Sequence, residues 1–132
     1  MLDWRQLTLA GRPNQYLVAP EGDCLKATAH AAPGRYAQPA LRLLRAFRAV
    51  AMAEPRTELL EYDEARLSAV FRQRSAFWGF PDLIDLTAIA LADGGATYAL
   101  YGRAVHGRSD FGVNQERVLR WLAALPAELA KN

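Results

Sequence analysis

The sequence predicts an α+β fold: a two-layer domain in which one antiparallel sheet carries two helices on one face, in the order β-α-β-β-β-β-α. Three observations predict it. Four consecutive segments between Arg56 and His106 alternate apolar and polar residues at the two-residue period of half-buried strands. Asp93-Gly94-Gly95, between the last two, is a hairpin signal. Apolar residues recur at helical spacing on either side of this block, from Ala40 to Ala51 and from Val118 to Leu125. With 132 residues and 52% hydrophobic content, residues 1–132 are read as a single domain with one real core.

The elements follow in order. Met1 to Gly11 is read as an irregular lead-in, Pro13-Asn14 as a turn and Gln15 to Ala19 as a short strand. Pro20 to Gln38 is rich in Pro, Gly and Ala without a period. It is too long for a plain connection, so it is either a mobile segment or the wall of a site. Pro39 suits the first position of a helix. Ala40, Leu43, Leu44, Phe47, Val50 and Ala51 then form its apolar face, and Glu54-Pro55 ends it. Four strands are expected at Arg56–Asp63, Arg66–Ser75, Pro81–Leu91 and Ala96–His106. Leu67, Ala69, Phe71, Ile84, Leu86, Ala88, Tyr98 and Leu100 share the face that carries the helices. Arg72, Arg74, Asp85, Thr87, Tyr101 and Arg103 share the opposite, partly open face. The last helix has Val118, Trp121, Leu122 and Leu125 as its core stripe and Asp110 or Asn114 as its cap. This order is similar to the TATA-binding-protein-like and helix-grip architectures, an analogy of fold that implies no function.

Composition excludes more than it identifies. A net charge of +2 is too small to point to nucleic acid or a membrane surface, and neither is expected as a partner. Arg42, Arg45 and Arg48 would be the basic patch for nucleic acid, but they also describe the wet side of a helix. Cys24 is the one cysteine, so no intrachain disulfide forms, which fits a reducing compartment. No charged leader and no run of about 18–20 apolar residues is present, so a soluble, cytoplasmic protein is expected. His30, His106 and Cys24 lack metal-ligand spacing, and Gly94-Gly95 reads as a turn rather than a phosphate loop. No metal or cofactor is therefore expected.

The polar residues gather near the end of the last strand. A turn centred on Gly94 places Asp85 opposite Arg103 and Asp82 opposite His106. A compact connection at 76–81 then sets Arg72 on the other side of Asp85, giving a cross-strand row Arg72–Asp85–Arg103. Arg117 lies one turn before Trp121 and borders the buried stripe, so it needs a carboxylate, with Asp82 and Asp110 as candidates. Arg74, Arg103, Arg117, Asp82 and Asp110 then form one ion-pair network. Alternatively, Arg74, Arg103 and Arg108 surround the start of the last helix as an anion site. The candidate ligand-binding set is Arg74, Asp82, Arg103, Arg108, Ser109, Asp110, Asn114 and Arg117. No catalytic residue is assigned: Ser75, His106 and Asp82 lack a nucleophile-elbow motif. Phe77 and Trp78 either dock a partner or cap the core.

On these residues the chain resembles the domain-of-unknown-function family numbered 1499, found in bacteria and plastids. The resemblance begins at RPNQYLVAPEG from Arg12 and continues through QRSAFWGFPDLI from Gln73 to Ile84. It is most specific in GRSDFGVNQERV from Gly107 to Val118, through Gly107, Ser109, Asp110, Gly112, Val113, Asn114 and Arg117. The family pattern favours serine around Arg103, where this chain has Gly102 and Ala104. The resemblance implies no activity. Some members carry hydrophobic N-terminal segments, which this sequence lacks. Two functions follow as expectations. The first is a non-enzymatic module binding a small anion or a peptide at the Arg-rich sheet end. The alternative is a small hydrolase-like enzyme with Asp82 or His106 as base and Arg103 as electrostatic stabiliser.

Overall fold

Strand and helix order follows the sequence pattern in the computed structural model, which describes residues 2–9, 13–76, 79–105 and 111–131. The elements are β1 (Gln15–Val18), α1 (Ala40–Met52), β2 (Thr57–Asp63), β3 (Ser68–Arg74), β4 (Pro81–Ala90), β5 (Ala96–Ala104) and α2 (Val113–Leu129). The five strands form one antiparallel sheet in the order β1-β5-β4-β3-β2. Both helices lie on one face. Leu43, Leu44, Phe47, Val118, Trp121 and Leu125 pack there against Ala69, Phe71, Ile84, Leu86, Tyr98 and Leu100. Edge-to-face aromatic pairs knit the layers, Phe71 with Trp121 at 5.5 Å and Phe47 with Tyr98 at 5.0 Å.

Several boundaries differ from the sequence reading for local reasons. Pro39 caps α1 rather than opening it, because its extended backbone (ψ 157°) is not helical. Arg66 and Leu67 belong to the β2–β3 turn, not to β3. The Asp63 carboxylate accepts the Arg66 N–H, and Leu67 closes the turn at φ 55°. The α2 N-cap is Gly112 at φ 80°, which has no side chain of its own to cap with, and Asp110, the other expected cap, lies outside the described residues. Asn114 is buried inside the first turn instead.

The hairpin registers differ as well. Leu91 N–H donates to Gly95 O, and Gly94 takes φ 90° at the end of a three-residue loop centred on Asp93. Moving the turn centre by one residue moves the pairing by two. Asp85 is therefore opposite Tyr101, Leu83 opposite Arg103 and Asp82 opposite Ala104. On the other side Val70 faces Asp85, and Arg72 faces Leu83. A two-residue shift keeps every side chain on its face, so the face assignment stands while the row Arg72–Asp85–Arg103 does not form.

The second face of the sheet is less open than expected. Residues 2–9 and the segment after β1 fold over its β1–β5 half. A small second core forms there from Leu7, Leu17, Ala19, Ala99 and Tyr101, with Leu2, Trp4, Cys24 and Ala27 packed on it. Trp4 Nε1 donates to Thr87 Oγ1 at 3.0 Å, and Thr87 is in turn 2.8 Å from Ser68 Oγ. The segment 20–38 is thus a wall, bonded to the β1 edge near His30 and to β5 through Tyr36 and Ala96. At the far edge β2 carries Glu58, Glu61 and Asp63 and a bulge between Leu59 and Glu61, devices that discourage edge-to-edge pairing.

The three arginines of α1 all have partners within the fold. Arg42 Nη2 donates to Glu128 O at 2.8 Å and Lys131 O at 3.0 Å, placing a cation on the C-terminal carbonyls of α2. Arg45 grips Glu64 with two bonds, and this contact, with a further bond from Tyr62, holds the Glu64 carboxyl down at about 2. Arg48 stacks over the Tyr62 ring at 4.5 Å. Arg42→Ala is expected to cost about 1 kcal/mol by uncapping α2. Urea unfolding should show this as a lower midpoint at an unchanged slope.

Candidate functional site

The candidate residues are built by two faces of the sheet, not by one cluster. On the helix face, β3 supplies Gln73, β4 supplies Asp82, and the first turns of α2 supply Asn114 and Arg117. Arg117 is 3% exposed. Its three nitrogens each donate to a different acceptor: Nε to Gln73 Oε1 at 2.5 Å, Nη1 to Asn114 Oδ1 at 2.7 Å and Nη2 to Asp82 Oδ2 at 2.6 Å. Asn114 Nδ2 in turn reaches Asn14 O at 3.4 Å, the same carbonyl that accepts the Ala104 N–H at 2.9 Å. The group ties α2 to β3 and β4 and to the chain around the start of β1 and the end of β5. Gln73 Nε2 extends it to Glu54 Oε1 at 3.0 Å, where Arg120 also binds with two bonds. Burial works to raise the Glu54 carboxyl, but the hydrogen bonds from Arg120 and Gln73 outweigh it and hold the group below its ordinary value.

This clamp is a strut. Each guanidinium nitrogen of Arg117 is already engaged by a protein oxygen in a buried setting, the condition under which a buried charge is tolerated. The expected Asp82 partner of Arg117 is present, whereas Asp110 lies outside the described residues, as do His106, Arg108 and Ser109.

Arg103 and Arg74 stand on the other face. Arg103 Nη1 bonds Asp85 Oδ2, diagonally across the pair, and its guanidinium sits over the Tyr101 ring at 4.9 Å. The acid–base contact that the row required therefore forms along a diagonal. Arg72 turns to Glu58 at 2.7 Å instead. Arg74 donates to Gly79 O at 3.2 Å and lies 3.9 Å from Glu58. The single network of Arg74, Arg103, Arg117 and Asp82 does not form, because adjacent strand residues point to opposite faces. For the same reason Asp82 and Arg103 do not converge on one substrate: the sheet lies between them.

The second face holds the clefts. One of about 290 Å³ is lined by Leu2, Glu61, Val70, Asp85 and Arg103. A second, of about 560 Å³, is bordered by Leu2, Trp4, Arg5, Asp23, Arg66 and Thr87. A third, of about 520 Å³, lies within residues 19–32 and includes Glu21, Cys24 and His30. The space between helices and sheet, by contrast, is filled by Trp121, Phe71, Phe47 and Tyr98.

Sequence reasoning passed over Gln73, Asn14 and Gly102. The signal was present for two of them. Gln73 is a polar residue on the core parity of β3, two positions after Phe71. Gly102 breaks the core parity of β5 two positions after Leu100. A Cβ at Gly102 would stand 2.5 Å from Asn114 Oδ1, so the missing side chain is what lets Asn114 lie against the strand.

Fold and site together define an α+β domain of the helix-grip type, with its helices clamped by a buried arginine and its clefts on the opposite sheet face. The crystal structure of Ara h 8.0201 is similar in fold, with a TM-score of 0.52 at 14% identity, covering 75% of this chain and 95% of that one. Protein CV1439 from Chromobacterium violaceum is similar at 15% identity and a TM-score of 0.43, over 89% of this chain and 96% of that one. TTHA0849 from Thermus thermophilus is similar at 8% identity and a TM-score of 0.41, over 87% of this chain and 96% of that one. No curated protein matches the sequence. The chain belongs to the family described as protein of unknown function (DUF1499), which it matches over residues 8–125. No described helix is long and apolar enough to cross a membrane.

Proposed function

We propose that the protein is a non-enzymatic binding module that takes an extended peptide on the helix-free face of its sheet. The observation that carries this reading is the continuity of the clefts. Leu2 borders both the cleft at Arg103 and the cleft at Trp4, and Gly22 borders both that cleft and the one near His30. Such a run suits an elongated ligand better than a compact one. Its lining mixes apolar Leu2, Trp4 and Val70 with acids (Asp3, Asp23, Glu61, Asp85) and bases (Arg5, Arg66, Arg103). A peptide with one apolar side chain between charges of both signs matches that pattern. A small anion is the weaker occupant, because Arg103 already faces Asp85, and Arg74 and Arg117 already have protein acceptors. The hydrolase-like alternative has less support, since Asp82 is buried against Arg117 on the other face, while His106, its other candidate base, lies outside the described residues.

The test titrates isotope-labelled protein with a short extended peptide carrying leucine between lysine and glutamate, and separately with phosphate and with citrate. The amide signals of Leu2, Gly22, Ser68 and Thr87 should move saturably with the peptide. Arg103→Gln should weaken that binding about tenfold by removing one charge-assisted contact. Movement by phosphate or citrate alone would turn the site into a small-anion site. If none of the three moves these signals, the reading is wrong.

A further inference from the structure

The outer edge of β1 is closed by His30 and Ala31. In the pairing of β1 with β5, the N–H and C=O of Leu17 are not used by the sheet; the N–H goes to the His30 ring alone, while the C=O accepts from the backbone of His30 and, at 3.3 Å, of Ala31. Leu17 N–H donates to His30 Nδ1 at 2.9 Å, and Leu17 O accepts the His30 N–H at 2.8 Å. Ala19 N–H then reaches Ala31 O at 3.3 Å, so the bonds run on from His30 along the returning chain. The His30 ring stacks on Tyr16 with centroids 5.2 Å apart and planes 16° from parallel.

One of these bonds depends on protonation. An imidazole nitrogen accepts a hydrogen bond only when it carries no proton, so this geometry requires neutral His30 with its proton on Nε2. In the imidazolium both nitrogens are donors, and Nδ1–H then faces the Leu17 N–H, donor against donor. The two ends of the contact differ in their access to water. The His30 side is exposed, so a proton arrives freely, while Leu17 is fully buried. Once the ring withdraws, Leu17 is left with an unpaired buried donor, which the fold tolerates poorly.

We propose that His30 is a pH-operated latch: acidification releases residues 20–31 from the edge of β1 and opens the cavity they wall. That cavity, of about 520 Å³, is lined by the segment itself, including Glu21, Cys24 and His30. Imidazoles change charge between about pH 5 and 8, so the latch is closed at the upper end of that interval and open at the lower. The titratable groups around the ring are Tyr16, stacked on it from β1, and Glu21 and Cys24 on the cavity wall. Asp23 and Lys26 lie further along the segment, with Lys26 Nζ held by Gln6 Oε1 at 2.7 Å. Among these only His30 gives up a bond to the β1 backbone on taking a proton. The latch does not depend on whether the neighbouring clefts bind a peptide.

Cys24 is a built-in reporter, being the sole thiol and half-buried against the second core. Its labelling by 4,4′-dithiodipyridine, a reagent that works in acid, is followed from about pH 8 to pH 5. Each rate is referred to the unfolded chain at the same pH. This matters because burial, and secondarily Asp23, push the Cys24 thiol up in the folded protein. Protection of Cys24 should fall about tenfold across the interval. In His30→Asn, whose Oδ1 stands on Cγ as Nδ1 does and accepts the Leu17 N–H without titrating, protection should stay flat. In His30→Phe, which keeps the stack but has no acceptor, Cys24 should label fast at every pH. Equal pH profiles for the natural protein and His30→Asn would overturn the proposal. Since His30→Asn retains the acceptor, that comparison stands even if His30→Phe does not fold.

Discussion

Arg117→Met should destabilise the protein by about 3–5 kcal/mol, the range for removing one partner of a buried ion pair. Methionine fills much of the same space, so the loss is electrostatic rather than a cavity. It arises because Asp82, buried on the helix face, loses the Arg117 cation, while Gln73 Oε1 and Asn114 Oδ1 each lose a donor. A loss of this size is a large fraction of the stability of a domain, which is typically about 5–15 kcal/mol. Urea unfolding followed by tryptophan fluorescence measures it directly. The double variant Arg117→Met with Asp82→Asn should regain part of the loss, because a neutral amide tolerates burial beside methionine better than a carboxylate does. A measured cost below about 1 kcal/mol would mean that Arg117 does not act as a strut.

Gly102→Ala should cost about 1–3 kcal/mol, the usual penalty of forcing an extra methyl into a packed site. The new Cβ would stand 2.5 Å from Asn114 Oδ1, well inside contact distance. Asn114 is fully buried and cannot simply swing away, because Oδ1 accepts from Arg117 and Nδ2 donates to Asn14 O. The strain therefore passes into the Arg117 clamp. Combined with Asn114→Ala, the substitution should cost about 1 kcal/mol less than the sum of the two single changes, since removing the amide removes the clash. Strict additivity would show that strand and helix do not meet at this point.

The core stripes and the strand faces were readable because they rest on periodicity. Phe71, Ile84, Leu86, Tyr98 and Leu100 share a parity, and Phe47, Val118, Trp121 and Leu125 share helical stripes, whatever the loops do. Registers were less readable. Asp93-Gly94-Gly95 announces a hairpin, but it does not say whether Gly94 lies at the centre of the loop or at its left-handed end. One residue of difference there displaced every cross-strand partner by two. The Arg117–Asp82 contact survived that error because Asp82 keeps its face under an even shift. The Arg72–Asp85 contact failed at another connection: the β3–β4 register sets Val70 rather than Arg72 opposite Asp85, and Glu58, directly opposite Arg72 on β2, takes the guanidinium.

Local sequence sufficed to assign the element order, the two faces of the sheet and the need of Arg117 for an acid, because each follows from spacing along the chain and from the cost of burying charge. Three-dimensional packing was needed to separate Arg103 from Asp82, to lay residues 2–9 and 20–31 over the second face, and to bring His30 to the edge of β1. Those outcomes join residues far apart in sequence that lack any shared period. They are set by which surfaces remain uncovered once the main core has closed.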